Sequence, residues 1–205
     1  MDKKSGDIYK KFIPCSMVAL TCLSSCFGNI PKDTFDLSEN RSSYITSRVK
    51  YNINLVIYEP TTLKILNSED IIIRSSPIEM EYLFKSQWSD KLPRMIQSKL
   101  IANFENNGKI LTIVKPNQGI FPDYQLYSTI KLFEINLHRN HAIIAMSFKL
   151  INTHTGAVVA QKIFNVEEPF EKDNKLCFVQ SLDRAFNRIS SEIIIWTLSS
   201  LPNSE

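Results

Sequence analysis

Three long, mostly apolar segments in the second half of the chain constrain its fold most, because their lengths and composition predict consecutive long strands. The segments span residues 126–137, 142–151 and 157–166, and turn residues separate them, which predicts a meander of two hairpins. The segment 176–198 follows with an apolar stripe at helical spacing. The stripe consists of Leu182, Phe186, Ile189, Ile193 and Trp196. A helix of this kind packs on a sheet, so the sequence predicts an α/β fold.

The first half of the chain predicts shorter strands and one further helix. Apolar runs predict strands at residues 34–37, 49–57, 63–66, 71–74, 79–84 and 110–114. The helix is predicted between Ser89, a candidate N-cap with Asp90 in the first turn, and Gly108, a residue type that commonly ends helices. These elements predict one mixed β-sheet packed by two main helices, within a single α/β domain at residues 34–201.

The N-terminal segment predicts a secretory signal. Four lysines precede an apolar run at residues 12–23, which is shorter than the about 20 apolar residues of a membrane-spanning helix and fits a signal peptide. The run ends with Leu23, Ser24, Ser25 and Cys26. This tetrapeptide resembles the bacterial lipobox, in which an aliphatic residue and two small ones precede an acylated cysteine. We predict that residues 1–25 are a lipoprotein signal peptide; the alternatives are an ordinary cleavable signal or a cytosolic chain with a chance apolar run.

Acylation of Cys26 would anchor the mature chain to a membrane surface, because two or more acyl chains make release from the bilayer negligible. Residues 26–33 lack periodicity and predict an acylated tether. Phe27, rather than Asp, follows the cysteine, which favours the outer over the inner membrane. Removal of the signal leaves Cys177 as the one unmodified thiol, so no disulfide framework is predicted.

Composition excludes several functions. The five glycines lie too far apart to form a phosphate-cradling loop, so we predict neither an ATPase nor a nicotinamide enzyme, and no cofactor. The 24 basic and 21 acidic residues nearly balance and are scattered, which argues against nucleic-acid binding.

Few residues are candidates for catalysis. His138, His141 and His154 fall in predicted turns, without the spacing of a metal site. The carboxylate pairs at residues 79 and 81 and at 167 and 168 fit solvated surfaces, and no serine nucleophile motif is present. The sequence therefore predicts no metal site and no enzyme.

The junction before the first predicted helix carries a resemblance to a known family. It reads Gln87-Trp88-Ser89-Asp90-Lys91-Leu92-Pro93-Arg94 and resembles the signature of the ABC-type transport auxiliary lipoproteins, which include the PqiC-like proteins. Further similar segments follow in the family's order. They include Phe133-Glu134-Ile135, Lys149-Leu150, Thr155-Gly156-Ala157, Ala185-Phe186 and Trp196.

The resemblance implies an anticodon-binding-like domain in a lipoprotein that faces the periplasm. It implies, as partners, a protein with an MCE (mammalian cell entry) domain and its ABC permease and ATPase, in a system that moves phospholipids or other hydrophobic molecules between membranes. It leaves open whether the chain forms a homo-oligomer. We expect a non-catalytic auxiliary subunit; the alternative is a lipoprotein that carries a hydrophobic ligand in an internal cavity.

Three residues of the junction are candidates for partner contact: Trp88, Asp90 and Arg94. A large ring such as that of Trp88 is enriched where proteins meet their partners, although core packing is an equal expectation for it. For Trp196, which lies on the apolar stripe of the last helix, core packing is the stronger prediction.

Overall fold

The computed structural model describes residues 31–39 and 50–202. In these residues nine strands form one sheet: β1 (Asp33–Phe35), β2 (Tyr51–Ile57), β3 (Thr61–Thr62), β4 (Asp70–Arg74), β5 (Met80–Trp88), β6 (Ile110–Val114), β7 (Tyr124–Asn136), β8 (His141–Asn152) and β9 (Val158–Pro169). Two α-helices pack on the sheet, α1 (Leu92–Asn107) and α2 (Lys175–Ser200). The prediction of a mixed sheet with two main helices is confirmed. The predicted signal peptide with Leu23, Ser24 and Ser25, and Cys26 itself, lie outside the described residues.

Strand β7 organises the sheet because it pairs with four strands. β8 runs antiparallel along one edge and β9 pairs antiparallel with β8, which confirms the predicted meander. Along the other edge β2, β3 and β4 pair with β7 in succession, all parallel to it. β6 extends the sheet beyond β2, while β5 and then β1 extend it beyond β4. On this edge, β2 and β6 therefore lie beside the start of β7, and β4, β5 and β1 lie beside its end.

A single core lies between the helices and one face of the sheet. The α2 residues Leu182, Phe186, Ile189 and Ile193 are fully buried, as their helical spacing predicts. They share the core with alternate residues of β8, which are Ala142, Ile144, Met146, Phe148 and Leu150. Trp196 is half-buried and packs edge-on against Phe164 of β9, with 5.7 Å between ring centroids, so the prediction of core packing is confirmed.

Helix α1 begins later than the capping pattern predicts. Ser89 is not its N-cap, because its N–H donates to the Phe35 carbonyl and its hydroxyl to Asp36 Oδ1. The helix begins at Leu92 with Pro93 in its first turn, where the missing N–H of proline has no cost. Gly108 ends it at φ 65°, as predicted. No helix in the described part of the chain is long and apolar enough to cross a bilayer.

Residues 63–66 do not form the predicted strand. Thr61 lies opposite Thr129 and Ile72 lies opposite Glu134. The segment 61–72 therefore has many more residues than the stretch of β7 beside it, residues 129–134. The excess is taken up by a 3-10 turn at Lys64–Leu66, which buries Leu66. The apolar run therefore supplies a core residue within a turn instead of a strand.

Candidate functional site

The segment that follows the predicted tether joins the sheet beside the predicted partner junction. We call residues 32–39 the strap. Within it, β1 pairs parallel with the end of β5, where Asp33 lies opposite Ser86 and Phe35 opposite Trp88. The strap and the junction at 87–94 therefore meet at one edge of the sheet.

Ion pairs connect the strap to the sheet and to both helices. The pairs are Lys32–Asp70, Asp33–Lys175, Asp36–Lys99 and Glu39–Lys99. Lys99 belongs to α1 and Lys175 to α2. Exposed pairs of this kind each contribute at most about 1 kcal/mol, so they set the position of the strap more than they stabilise it.

Burial and hydrogen bonds at the end of the strap fix it more firmly. Leu37 is buried in the core, and burying a leucine side chain contributes about 1.5–3 kcal/mol. The Ser38 N–H donates to Asp183 Oδ1 over 2.7 Å, and Ser38 Oγ accepts from Asn187 Nδ2 over 2.8 Å. Both partners lie on α2, so the strap reaches from the β5 edge to the second helix.

Trp88 is a core residue, which corrects its prediction as a partner contact. Its side chain is 1% exposed and packs edge-on against Phe133 of β7, with 5.9 Å between ring centroids. The backbone N–H of Trp88 donates to the Glu69 carbonyl. A partner could not touch this ring without unfolding the junction, so Trp88 positions the residues that follow it.

Asp90 and Arg94 are accessible, in contrast to Trp88. Arg94 Nη1 lies 3.4 Å from Asp90 Oδ1, and the Asp90 side chain also accepts from the Lys91 N–H. More than half of the Arg94 side chain is exposed. The two residues form a charged surface beside the strap, so they keep their place as candidates for partner contact.

A partly buried ion pair near the end of β7 escaped the sequence analysis. Arg74 of β4 donates from Nε and Nη2 to the two carboxylate oxygens of Glu134 over 2.6 and 2.9 Å, and Glu134 is 2% exposed. The hydrogen bond to Glu134 is the largest cause that raises the pKa of Arg74 further above its usual value. Arg74 Nη1 also donates to the Pro77 carbonyl, which ties the β4–β5 turn to β7. No local pattern could have shown this pair, because its residues are 60 positions apart.

Four of the residues that had been weighed for catalysis have structural contacts. His154 Nε2 lies 3.2 Å from Asp123 Oδ1, and His141 Nδ1 lies 2.6 Å from the Arg139 carbonyl. Glu167 and Glu168 pair with Arg139 and Arg188 respectively. Within residues 31–39 and 50–202, no group of three or more potential ligands could hold a metal ion.

The end of the sheet near the start of β7 carries exposed apolar residues. We call residues 115–123, between β6 and β7, the distal loop; its Phe121 is 92% exposed. A groove of about 340 Å³ lies between this loop and Tyr58. Tyr58 stacks on Tyr127 with 4.3 Å between ring centroids. Burial is the main cause that raises the pKa of the Tyr127 phenol above 10, with a hydrogen-bond contribution from Tyr58.

A second groove, of about 960 Å³, runs between the strap and α2. Its walls include the charged residues Asp36, Glu39, Lys99, Asp183 and Arg188. Such walls suit polar contacts and would be costly to desolvate against acyl chains.

Comparisons with known proteins agree on the class of this domain. Residues 35–194 match the model of a family described as the ABC-type transport auxiliary lipoprotein component. An uncharacterized protein of Bradyrhizobium diazoefficiens is 28% identical over 149 residues, which are 71% of this chain but only 39% of that protein. The chain thus spans about two fifths of the length of this curated relative.

Two solved structures share the fold. A crystal structure from Xanthomonas campestris, of the family DUF330, superposes with a TM-score of 0.76 at 21% identity and covers 82% of this chain and 95% of that one. A crystal structure of an uncharacterized protein has a TM-score of 0.65 at 17% identity and covers 82% of this chain and 99% of that one. At these identities the likeness concerns the fold.

Proposed function

The chain belongs to the family of ABC-type transport auxiliary lipoprotein components, and from this premise we propose that it is the non-catalytic, membrane-anchored subunit of an MCE-type transport system. The system would move phospholipids or other hydrophobic molecules between membranes. The observation that carries the proposal is the family match, which extends from Phe35 in the strap to Ile194 in α2.

The proposed anchor is the acylated Cys26, on the periplasmic side of the outer membrane. The short sequence between Cys26 and the strap supports an anchor that acts directly on the domain, because the strap is tied to β5, α1 and α2. Whatever holds Cys26 therefore also restrains the position of the sheet.

The proposed contact with the MCE protein uses Asp90 and Arg94. Both are accessible, and both belong to the segment that most resembles the family. Buried Trp88 supports them by packing against Phe133, so it contributes to the contact through the fold alone.

Co-purification tests the contact. We exchange the charges with Asp90→Arg and Arg94→Asp, which keeps opposite charges at i and i+4 and should change stability by at most about 1 kcal/mol. The MCE protein should co-purify with the wild type from detergent-solubilised membranes and be lost with the exchanged pair. The matched control exchanges Arg139 and Glu167, an exposed pair with an N–O distance of 3.0 Å, and should retain the partner.

Two results would contradict this account. Retention of the MCE protein by a folded exchanged variant would exclude Asp90 and Arg94 as the contact. Native mass spectrometry that finds one phospholipid per protein, with no partner, would favour the alternative of a lipid carrier.

A further inference from the structure

The outer edge of β5 is only partly covered. β1 pairs with residues Ser86, Gln87 and Trp88, and among the described strands none pairs with the preceding stretch 80–85 on this edge. Among the described residues, this stretch of the edge therefore has no strand beside it where the strap reaches the sheet.

Apolar side chains stand exposed along this stretch of the edge and its turn. Ile78 is 95% exposed, Phe84 75% and Tyr82 56%, and Lys85 Nζ lies 5.3 Å from the centroid of the Phe84 ring. We call these four residues the edge patch. Scattered apolar residues are ordinary on surfaces, but several on one strand and its turn mark an interaction site.

A bulge in β5 turns part of the patch outward. Ile72 lies opposite Tyr82 and Asp70 opposite Gln87, so five residue steps on β5 face two on β4. Lys85 within this bulge has φ 51°, an uncommon value for a residue other than glycine. The chain thus keeps a strained backbone that leaves Leu83 buried and Phe84 in solvent.

The length of the tether indicates what can cover the edge patch. Strand β1 runs parallel to β5, so the chain reaches Asp33 from the direction of the patch. Cys26 precedes Lys32, the first residue of the strap, by six residues, which span at most about 22 Å when fully extended. A bilayer surface that holds acyl chains at Cys26 is therefore always within about 22 Å of the start of the strap.

The side chains of the patch suit the membrane interface. Aromatic rings are favoured at the level of the headgroups, and a lysine can place its charge there while its stem remains on apolar surface. Exposed Glu79 and Glu81 interrupt the patch, so apolar insertion, and not attraction to anionic lipid, would provide the binding.

We propose that the edge patch rests on the same bilayer surface that holds Cys26 and so fixes the tilt of the domain on the membrane. This inference rests on the acylation of Cys26 that the proposed function assumes. The distal loop is the natural contrast. Ten residues of β7 separate Tyr124, next to this loop, from Glu134, level with Tyr82, which is about 33 Å along the strand.

Fluorescence in vesicles tests the proposal. Full-length acylated protein carrying Phe84→Trp is reconstituted in phosphatidylethanolamine vesicles that contain phosphatidylcholine brominated near the headgroup. The emission of the native Trp88 and Trp196, measured with the wild-type protein, is subtracted. We expect the emission of the indole at position 84 to shift to shorter wavelength than that of an indole in water. The brominated lipid should quench this emission about twofold, with little dependence on salt.

The matched control is Phe121→Trp, at a site of the distal loop that is even more exposed than Phe84, which should show neither a shift nor quenching. Both variants should melt within a few degrees of the wild type, because both sites are exposed. Equal quenching at both sites, or a blue shift at position 84 without quenching by brominated lipid, as a protein partner or a second copy would cause, overturns the proposal.

The same experiment separates the patch from the anchor. If the protein fails to float with the vesicles and its intact mass shows no lipid, the anchor at Cys26 and the patch both fail. If the protein floats but the indole at position 84 is unquenched, the patch alone fails.

Discussion

The two ends of β7 differ in how far the side chains around them are buried and paired. At the end beside β4, Arg74 and Glu134 form a partly buried bidentate pair, and Trp88 packs on Phe133. At the start, beside the distal loop, Phe121 and Tyr127 are both exposed. The end beside the strap is thus the one whose side chains are buried and paired. The difference indicates that the packing of this domain is firmest where the strap joins the sheet.

Removing the largest side chain at the end beside the strap should have the largest effect. Trp88→Ala creates a cavity beside Phe133 and should lower the free energy of unfolding by about 3–5 kcal/mol. Phe121→Ala, at the opposite end, should change it by less than about 0.5 kcal/mol. Urea denaturation followed by circular dichroism measures both. Similar losses for the two variants would remove the contrast between the ends.

Breaking the partly buried pair should have the next largest effect. Glu134→Gln leaves the Arg74 guanidinium without its charged partner and should cost about 3 kcal/mol of unfolding free energy. The control is Glu167→Gln, which breaks a more exposed pair with Arg139 and should cost less than about 1 kcal/mol. The double change Arg74→Met with Glu134→Leu should recover most of the stability. A neutral Glu134→Gln variant would show that the pair is not desolvated as the structure has it.

Loosening the strap should have a smaller and more local effect. Leu37→Ala should cost about 2 kcal/mol and speed hydrogen exchange of the amides in β1 and the end of β5. Exchange in the β8–β9 hairpin, far from the strap, serves as the internal control. Uniform acceleration over the whole sheet would mean that the strap is part of the global folding unit instead of a separate fastening.

The smallest effect concerns alkaline pH at the start of β7. The pKa of Tyr127 is raised in the folded protein, mainly by burial, so the folded chain keeps this proton to higher pH than the unfolded chain. The stability that results is present below pH 10.0 and is lost as the pH rises through the raised pKa. Wild-type protein should therefore lose stability faster than Tyr127→Phe above this pH in urea titrations. Parallel curves for the two proteins would contradict the assignment.

Much of the fold could be predicted because its elements have local patterns. The apolar run at 142–151 predicts a strand and the stripe from Leu182 to Ile193 predicts a helix, and the structure buries most of their apolar residues. Gly108 was predictable as a helix end because the left-handed conformation there favours glycine. Membership of the family was likewise visible in the residues of the junction.

The site was less predictable because its contacts join distant segments. Tryptophan is expected in cores and in interfaces alike, so the residue type of Trp88 does not decide between them. The packing of its ring against Phe133 does. The contacts of Arg74 with Glu134 and of Ser38 with Asp183 cross 60 and 145 residues, so neither leaves a local signal. Ser89 matched a capping pattern, but the strap, which no pattern places beside it, takes its hydrogen bonds.

The bond between Ser38 and Asp183 also orders events in the life of the chain. The ribosome delivers the strap first and α2 last, so the strap cannot close onto the domain until nearly the entire polypeptide has been made. Closure of the strap would therefore come as the final step of folding.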